Sequence, residues 1–316
     1  MSDIRKLAHG RWEEIYRTVE PDLYTIFGRK GHMPCPVHGG AHGDAFRWFL
    51  DGNGGAVCNT CGAFHDGIEV LRWYWQAGYK HVFDEVARAL GVQNASNPQM
   101  ANKMRQQGEV AKRIFSAATP GITGVALEYL EQRGALPRIL RLVDGQAVWT
   151  HPGLRHPLTK EVAPALLLKL VAPDGELRGA HGIFLEGGGR KYSHGKAKLD
   201  VLTLGSLSAV RCETFRLNGK RVAVTEGFED SLAVAQLTGD RPWAVLGTAG
   251  MRSFRLPGEA EELAIYYDSD TSFAGKAAAY TLAAKYAPRG IKVEVIGPPE
   301  RCKDWGDAMQ HHAQLI

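Results

Sequence analysis

Three short apolar runs near the carboxyl end of the chain alternate with segments of helical periodicity. The runs are rich in β-branched or aromatic residues and lie at 222–224, 263–267 and 291–296. Runs of this length and composition predict buried strands. Helical patterns occupy 230–237 and 274–287 between them. Strands and helices in alternation predict a parallel sheet with helices on its faces, which is an α/β architecture.

Acidic residues follow each predicted strand. They are Glu226 after the first, Asp268 and Asp270 after the second, and Asp304 and Asp307 after the third. Because polar groups at the carboxyl ends of parallel strands gather along one edge of a sheet, we expect these carboxylates to lie close together. Clustered carboxylates need a neutralising cation, and their oxygens favour a hard divalent ion such as Mg²⁺ or Mn²⁺. The alternative is that the acids only cap helices, which is the interpretation preferred for Asp230.

The same residues lie in three motifs that resemble those of the Toprim domain. The motifs are Val-Thr-Glu-Gly-Phe-Glu-Asp (224–230), Tyr-Asp-Ser-Asp-Thr-Ser-Phe-Ala-Gly-Lys-Ala-Ala (267–278) and Lys-Asp-Trp-Gly-Asp (303–307). Bacterial-type primases, type IA and II topoisomerases and some nucleases share this domain. The resemblance implies that residues 216–316 form a Toprim domain.

Two pairs of metal-binding residues lie near the amino end, in Cys35-Pro-Val-His38 and Cys58-Asn-Thr-Cys61. Pairs with this spacing, carried on separate turns, predict a tetrahedral Zn²⁺ site with Cys₃His ligands. Such a closed site is structural, so this module is expected to bind rather than catalyse. Two alternatives stay open: a neighbouring histidine replaces His38 as ligand, or the cysteines are small buried hydrophobes.

The residues between the two pairs predict a small ribbon with strands at 45–50 and 55–57. Alternation places Phe46 and Trp48 on one face and Arg47 and Phe49 on the other, and the sequence leaves open which face is core. Arg47 and Trp48 are the candidate contacts to single-stranded bases. The segment resembles the zinc-binding domain of bacterial, phage and plasmid primases, in which this domain helps to select the template site.

The chain divides by composition into several parts. Residues 1–91 form the predicted zinc-ribbon DNA-binding domain, and the polar, amide-rich residues 92–108 predict a linker. Mixed helix and strand patterns at 109–215 predict an α+β subdomain, which is contiguous with the Toprim-like α/β domain at 216–316. The predicted fold class is therefore a mixed, multidomain α/β protein.

A glycine-rich basic stretch at 187–198 is the most informative part of the middle region. Its glycines let the backbone approach a ligand, and its cations offer charge to phosphates. The cations are Arg190, Lys191, Lys196 and Lys198. The resemblance to primases implies that a basic stretch here contacts template and incoming nucleotide, and a solvated basic hairpin is the alternative. The sequence contains no Walker A motif, so any unwinding is expected from a partner helicase.

Composition adds few constraints. The 316 residues carry a net charge of +4, which permits a nucleic-acid partner without requiring one. Neither an apolar run long enough to span a bilayer nor a signal peptide is present, so we expect a cytoplasmic protein without membrane contact. The five cysteines do not predict a disulfide framework in that setting.

The combined resemblance implies a DNA-dependent RNA primase of a phage, plasmid or other mobile element. Such an enzyme makes short oligoribonucleotides from ribonucleoside triphosphates on single-stranded DNA, beside a separate helicase and a replicative polymerase. The implied chemistry is two-metal nucleotidyl transfer. Glu226, Asp268 and Asp270 would hold the metals, and Glu226 would also accept the proton of the attacking 3′-hydroxyl. Asp304 and Asp307 would be outer ligands.

Two other classes of function remain as alternatives. A Toprim nuclease or topoisomerase-related enzyme needs the same metals, although a topoisomerase also needs a nucleophilic tyrosine on a separate domain. A non-catalytic adaptor that binds single-stranded DNA needs only the zinc ribbon. The intact acidic set favours an enzyme.

Overall fold

The computed structural model describes residues 2–37, 43–75, 77–91, 108–204, 209–269 and 271–313. Three sequence predictions fall outside these residues: the ligands His38 and Asp270, and nearly all of the linker. The chain divides into two compact units, one comprising 1–103 with 284–290 and the other 104–283 with 291–316. In the described part of the chain, no helix has the length and apolar character needed to cross a bilayer.

The described residues between 2 and 91 form a three-stranded antiparallel ribbon and five α-helices. The strands β1 to β3 lie in sequence order, at Phe46–Trp48, Ala56–Cys58 and Gly62–Phe64. The helices α1 to α5 span Ser2–Ala8, Trp12–Val19, Pro21–Tyr24, Gly67–Trp75 and Tyr79–Ala89. The sequence predicted the first two strands but not β3.

An aromatic core holds the ribbon to the helices of the first unit. The Trp12 ring packs against the backbone of Gly54 and Gly67, where an added Cβ would approach ring atoms to 2.2 and 2.3 Å. The Tyr16 hydroxyl donates a hydrogen bond to the Gly54 carbonyl oxygen at 2.8 Å. Glycine is therefore required at these positions because the tryptophan ring occupies the space of a side chain.

The second unit begins with an antiparallel sheet. Its strands are β4 to β9, at Thr119–Pro120, Val148–Arg155, Val162–Val171, Leu177–Glu186, Arg190–Lys191 and Lys198–Thr203. They run in the order β4-β5-β6-β7-β8, and β9 pairs with β7. Helix α6 contains the described residues 108–116, and α7 and α8 span Gly124–Gln132 and Pro137–Leu140. Gly175, with φ of +80°, lies in the turn that joins β6 to β7.

A four-stranded parallel sheet follows in the same unit, as the apolar runs predict. Its strands are β10 to β13, at Arg221–Thr225, Trp243–Ala244, Glu262–Tyr266 and Lys292–Ile296, in the order β11-β10-β12-β13. Helices α9 to α12 span Phe228–Thr238, Thr248–Ser253, Ala274–Tyr286 and Trp305–Ala313. The sequence analysis did not predict the short strand β11 or helix α10.

One hydrophobic core joins the two sheets of the second unit. Leu168 and Ile183 of the antiparallel sheet belong to the same buried cluster as Phe228 and Trp305 of the parallel-sheet region. Tyr129 of α7 is part of it as well. The middle region and the Toprim-like region therefore fold around shared apolar residues, and their polar edges are held in a fixed relation.

The packing of Trp12 gives a test of the first unit. Gly67→Ala is expected to lower the free energy of unfolding by about 1–3 kcal/mol, because the new methyl group overlaps the Trp12 ring. The matched control is Gly78→Ala, since a Cβ there meets no atom within 4 Å and φ is −74°. Urea denaturation of the full chain measures the free energy of unfolding of both variants. Equal midpoints for the two variants would contradict this account of the core.

Candidate active site and zinc centre

The parallel sheet places the first two acidic motifs side by side. Glu226 follows β10 and Asp268 lies two residues beyond β12, and Thr225 is in register with Tyr266 across the two strands. Gly275, in the first turn of α11, lies against both acids. A Cβ at Gly275 would lie 2.3 Å from Glu226 Oε1 and 2.9 Å from the Asp268 carbonyl oxygen. The Glu226 carboxylate and the Asp268 backbone thus both pack directly against Gly275, where any side chain would displace them.

These carboxylates suit a divalent cation. The Glu226 Oε1 and Asp268 Oδ1 atoms are inaccessible to solvent. Burial of a carboxylate oxygen is costly unless positive charge compensates it. Carboxylate oxygens are the ligands that a hard ion such as Mg²⁺ or Mn²⁺ favours. Asp270, the third predicted ligand, lies outside the described residues.

The third motif approaches the second through the backbone. The amide of Ser269 donates to the carbonyl oxygen of Lys303 at 2.8 Å. Asp304 Oδ1 accepts the amide of Asp307 at 2.6 Å, so Asp304 caps the first turn of α12. The helix-cap alternative therefore describes Asp304 correctly in this structure.

Asp230 also contacts the start of α12 rather than capping its own helix. Its Oδ1 accepts the amide of Gly306 at 3.2 Å, and α9 has Gly227 at its N-cap position. Burial, followed by the charges of Glu229 and Asp304, raises the pKa of Asp230 to about 6. Asp230 and Asp304 thus form a close acidic pair beside the third motif.

Glu229 binds the basic stretch to the acidic edge. Its carboxylate accepts hydrogen bonds from Lys198 Nζ at 2.7 Å and from the Tyr129 hydroxyl at 2.8 Å. Lys191 Nζ lies 3.5 Å from the same carboxylate. Glu229 is 4% exposed. A nearly buried anion on α9 is therefore neutralised by two lysines from the antiparallel sheet.

The charges around Glu229 determine its ionisation. Burial alone would raise its pKa, but the Lys198 and Lys191 charges and the hydrogen bonds from Lys198 and Tyr129 lower it to about 2. Burial also lowers the pKa of Lys191, although the Glu229 carboxylate opposes this. Glu229 is consequently ionised at neutral pH and holds both lysines at this edge.

The four predicted phosphate-binding cations separate into two groups. Lys191 and Lys198 pair with Glu229, whereas Arg190 and Lys196 are exposed. Lys198 and Glu226 both border a cleft of about 240 Å³ in the second unit. The other residues that line this cleft are Leu168, His181, Ile183, Gly227, Phe228, Glu229 and Leu246. Acidic and basic candidates thus meet at one cavity.

Strained backbone accompanies the loops at this sheet edge. Leu246 borders the cleft with φ of +58°, and Phe273 precedes α11 with φ of +57°. Arg301, just before the third motif, has φ of +74°. Non-glycine residues adopt this region rarely and at a cost of about 1–3 kcal/mol each. Such strain is typical of functional sites.

The zinc prediction is supported for the three cysteines. One sulfur each from Cys35, Cys58 and Cys61 lies within 4.8 Å of the others. Cys58 is the last residue of β2, and Cys61 lies in the turn between β2 and β3. Burial and the neighbouring Cys35 and Cys58 raise the pKa of Cys61 to about 12, so three thiolates here require a cation. A soft, three-sulfur donor set of this kind fits Zn²⁺.

The structure decides which face of the ribbon is core. Phe46 and Trp48 are buried, and Trp48 Nε1 donates to the Ile26 carbonyl oxygen at 2.9 Å. The prediction that Trp48 contacts template is therefore wrong, because its ring packs against Tyr16 and Phe27. Arg47 is exposed and remains available to a ligand.

Sequence reasoning missed Glu229, Tyr129 and Arg133. Arg133 lies near the third motif, since its Nη2 would be 3.5 Å from a Cβ at Gly306. Glu229 carried a detectable signal: it is a charged residue in the otherwise largely apolar helix α9, three positions after Glu226. Tyr129 and Arg133 lie about 100 residues before Glu229 in the chain, and no local sequence pattern marks either residue.

The contact between Gly275 and the Glu226 carboxylate gives a test of the metal site. Gly275→Ala is expected to weaken Mn²⁺ binding by roughly 10–100-fold, because the methyl group would displace the Glu226 carboxylate. Gly258→Ala is the control, since a Cβ at that position meets nothing within 4 Å. Calorimetric titration of the full chain with Mn²⁺ compares the two. Unchanged affinity in Gly275→Ala would contradict a role for the Glu226 carboxylate, as positioned by Gly275, in binding Mn²⁺.

The buried glutamate predicts a pH dependence of stability. Because its pKa is lowered from 4.5 to about 2, the Glu229 charge stabilises the fold above pH 4.5. This contribution, on the order of 3 kcal/mol, is lost as the pH falls toward 2. The difference in free energy of unfolding between wild type and Glu229→Gln should therefore shrink over that range. Glu259→Gln, at an exposed residue, is the control. A constant difference for Glu229→Gln would contradict the assignment.

Comparison with known families identifies domains in both units. A model of the Toprim domain matches residues 221–314, and a model of the zinc-binding domain of primase-helicase matches residues 30–68. Residues 105–211 match a domain of unknown function (DUF7146).

Solved structures with related folds include several primases. The structure of the DnaG catalytic core has 14% identity and a TM-score of 0.44, over 67% of this chain and 76% of that chain. The RNA polymerase domain of Mycobacterium tuberculosis primase DnaG has 16% identity and a TM-score of 0.40, over 67% and 82%. TM-scores and identities this low do not establish a shared activity. The family matches carry the conclusion: a segment similar to the zinc-binding domain of primase-helicase precedes a Toprim domain in this chain, and this combination supports a primase-type protein.

Proposed function

We propose that the protein is a DNA-dependent RNA primase that synthesises short oligoribonucleotides on single-stranded DNA. The observation that carries this proposal is the cleft at which Glu226 of the Toprim domain and Lys198 of the basic stretch meet. Nucleotidyl transfer needs carboxylates for divalent metals and cations for phosphates within one site. The accompanying zinc-binding domain, of the primase-helicase type, favours this activity over cleavage of DNA.

In this proposal the acidic residues form the metal side of the site. Glu226, Asp268 and Asp270 would hold two divalent ions, Mg²⁺ or Mn²⁺, and Asp304 would act from farther out. When bound, such ions lower the pKa of an attacking hydroxyl and neutralise charge on a leaving pyrophosphate. Glu226 would accept the proton from the 3′-hydroxyl, since it borders the cleft and its carboxylate packs against Gly275.

The lysines form the phosphate side. Glu229 uses one hydrogen-bonding direction of the Lys198 ammonium group, and two N–H groups remain for phosphate oxygens. Lys191 lies beside it at the same carboxylate. Fixed in this way, both ammonium groups need little reorganisation on binding a triphosphate. Arg190 and Lys196, which are exposed, would extend the positive surface toward the template.

The ribbon would contribute template binding. Arg47 is exposed on β1 and is the described candidate for contact with single-stranded DNA. Zinc at the three cysteines would fix the turns of the ribbon rather than take part in chemistry. A separate helicase would unwind the duplex, and a replicative polymerase would extend the primers.

Primer synthesis is tested directly with the full chain. Incubation with single-stranded DNA, Mg²⁺ or Mn²⁺ and labelled ribonucleotides is expected to give short template-dependent oligoribonucleotides on a denaturing gel. Asp268→Ala should reduce the product at least about a hundredfold with its fold intact, because a metal ligand is lost. Asp174→Ala, on the exposed hairpin turn, is the matched control and should retain synthesis.

Other outcomes would redirect the assignment. Cleaved DNA without oligoribonucleotides would identify a Toprim nuclease. DNA that is bound but unchanged would indicate a non-catalytic adaptor. Full synthesis by purified Asp268→Ala would refute the proposed mechanism.

A further inference from the structure

A second group of metal-binding side chains lies at the third motif, apart from the ribbon cysteines. It consists of Cys302, Asp307 and His311, and one ligand atom from each lies within 4.8 Å of the others. Cys302 precedes α12, Asp307 lies in the first turn of this helix, and His311 lies one turn later. The i, i+4 spacing puts Asp307 and His311 on one face of the helix.

The distances suit a tetrahedral ion. Cys302 Sγ lies 3.6 Å from His311 Nδ1. A zinc ion with Zn–S of about 2.3 Å and Zn–N of about 2.0 Å at a tetrahedral angle separates its sulfur and nitrogen ligands by about 3.5 Å. A carboxylate oxygen of Asp307 lies within 4.8 Å of the other two ligand atoms, and rotation about the side-chain bonds of Asp307 brings it closer.

The donor types separate this group from the acidic site. A thiolate and an imidazole favour borderline or soft ions, whereas Mg²⁺ favours oxygen ligands alone. Asp307 was predicted as an outer ligand for Mg²⁺ or Mn²⁺. Its neighbours indicate a different ion, because neither Cys302 nor His311 is a suitable magnesium ligand.

We propose that Cys302, Asp307 and His311 bind a second zinc ion, distinct from that of the ribbon. Three protein ligands leave a fourth position open to water or to an external ligand. Binding would release the thiol proton of Cys302 to solvent, since the thiolate is the ligand form. His311 is 57% exposed in its side chain, so an ion has access from solvent.

The site would influence the acidic edge through the chain that joins them. Lys303, next to Cys302, accepts the Ser269 amide through its carbonyl oxygen, and Asp304 caps α12. A metal bound on both sides of this turn would restrain the loop that follows Asp268. The site itself does not depend on primer synthesis and stands if that activity is absent.

Metal content of the full chain gives the first test. After dialysis against dilute ZnCl₂ and removal of free metal, inductively coupled plasma mass spectrometry should find two zinc ions per wild-type chain. Cys302→Ser and His311→Ala should each retain only the ribbon zinc. The control is His312→Ala, which removes the adjacent exposed histidine and should keep both ions.

Equal zinc content in wild type and His311→Ala would overturn the proposal. Equal loss in His311→Ala and His312→Ala would also overturn it, since that pattern indicates unspecific binding to surface histidines. Alkylation with iodoacetamide supplies an independent readout. Added zinc should protect Cys302 at least about tenfold in wild type but not in His311→Ala. Unprotected Cys302 in zinc-loaded wild type would contradict thiolate ligation.

Discussion

The buried charge of Glu229 is the interaction on which the candidate active site depends. Glu229 lies on the first turn of the helix that follows Glu226, and it is neutralised by Lys198 and Lys191 from the antiparallel sheet and by Tyr129 from α7. A carboxylate removed from water is costly unless its partners are well placed. The three partners meet that need only when the two sheets are packed together as observed.

This requirement explains how a cleft with opposite charges on its two sides persists. Unpaired lysines beside an acidic site would collapse onto Glu226 and Asp268, because those carboxylates attract them. Glu229 supplies a competing anion at a fixed position, and its pKa of about 2 keeps it charged. Net stabilisation by such buried ion pairs is often small, but their geometry is specific. The ion cluster therefore orients residues more than it strengthens the fold.

The sequence predicted the parts of this arrangement that follow from local pattern. Strands β10, β12 and β13, the acids at their ends and the ribbon cysteines all follow from apolar periodicity and ligand spacing. Contacts between distant segments did not, because Tyr129 and Glu229 are 100 residues apart. Trp48 was misassigned because alternation separates two faces without saying which one meets a core. That choice depends on Tyr16 of α2 and on Phe27, which follows α3.

Glycine residues set the geometry of the acidic site and of the zinc ribbon in a way that composition does not reveal. Gly275 leaves room for the Glu226 carboxylate, and Gly54 and Gly67 leave room for the Trp12 ring that supports the ribbon. At each position a side chain would meet an atom at less than 3 Å. Precision at the acidic edge thus comes from backbone placed directly against a carboxylate, since backbone in the first turn of a helix has fewer alternative positions than a long side chain. Glycine in a helix weakens it by roughly 0.5–1 kcal/mol relative to alanine, so its presence inside α11 is explained by the space that Glu226 requires.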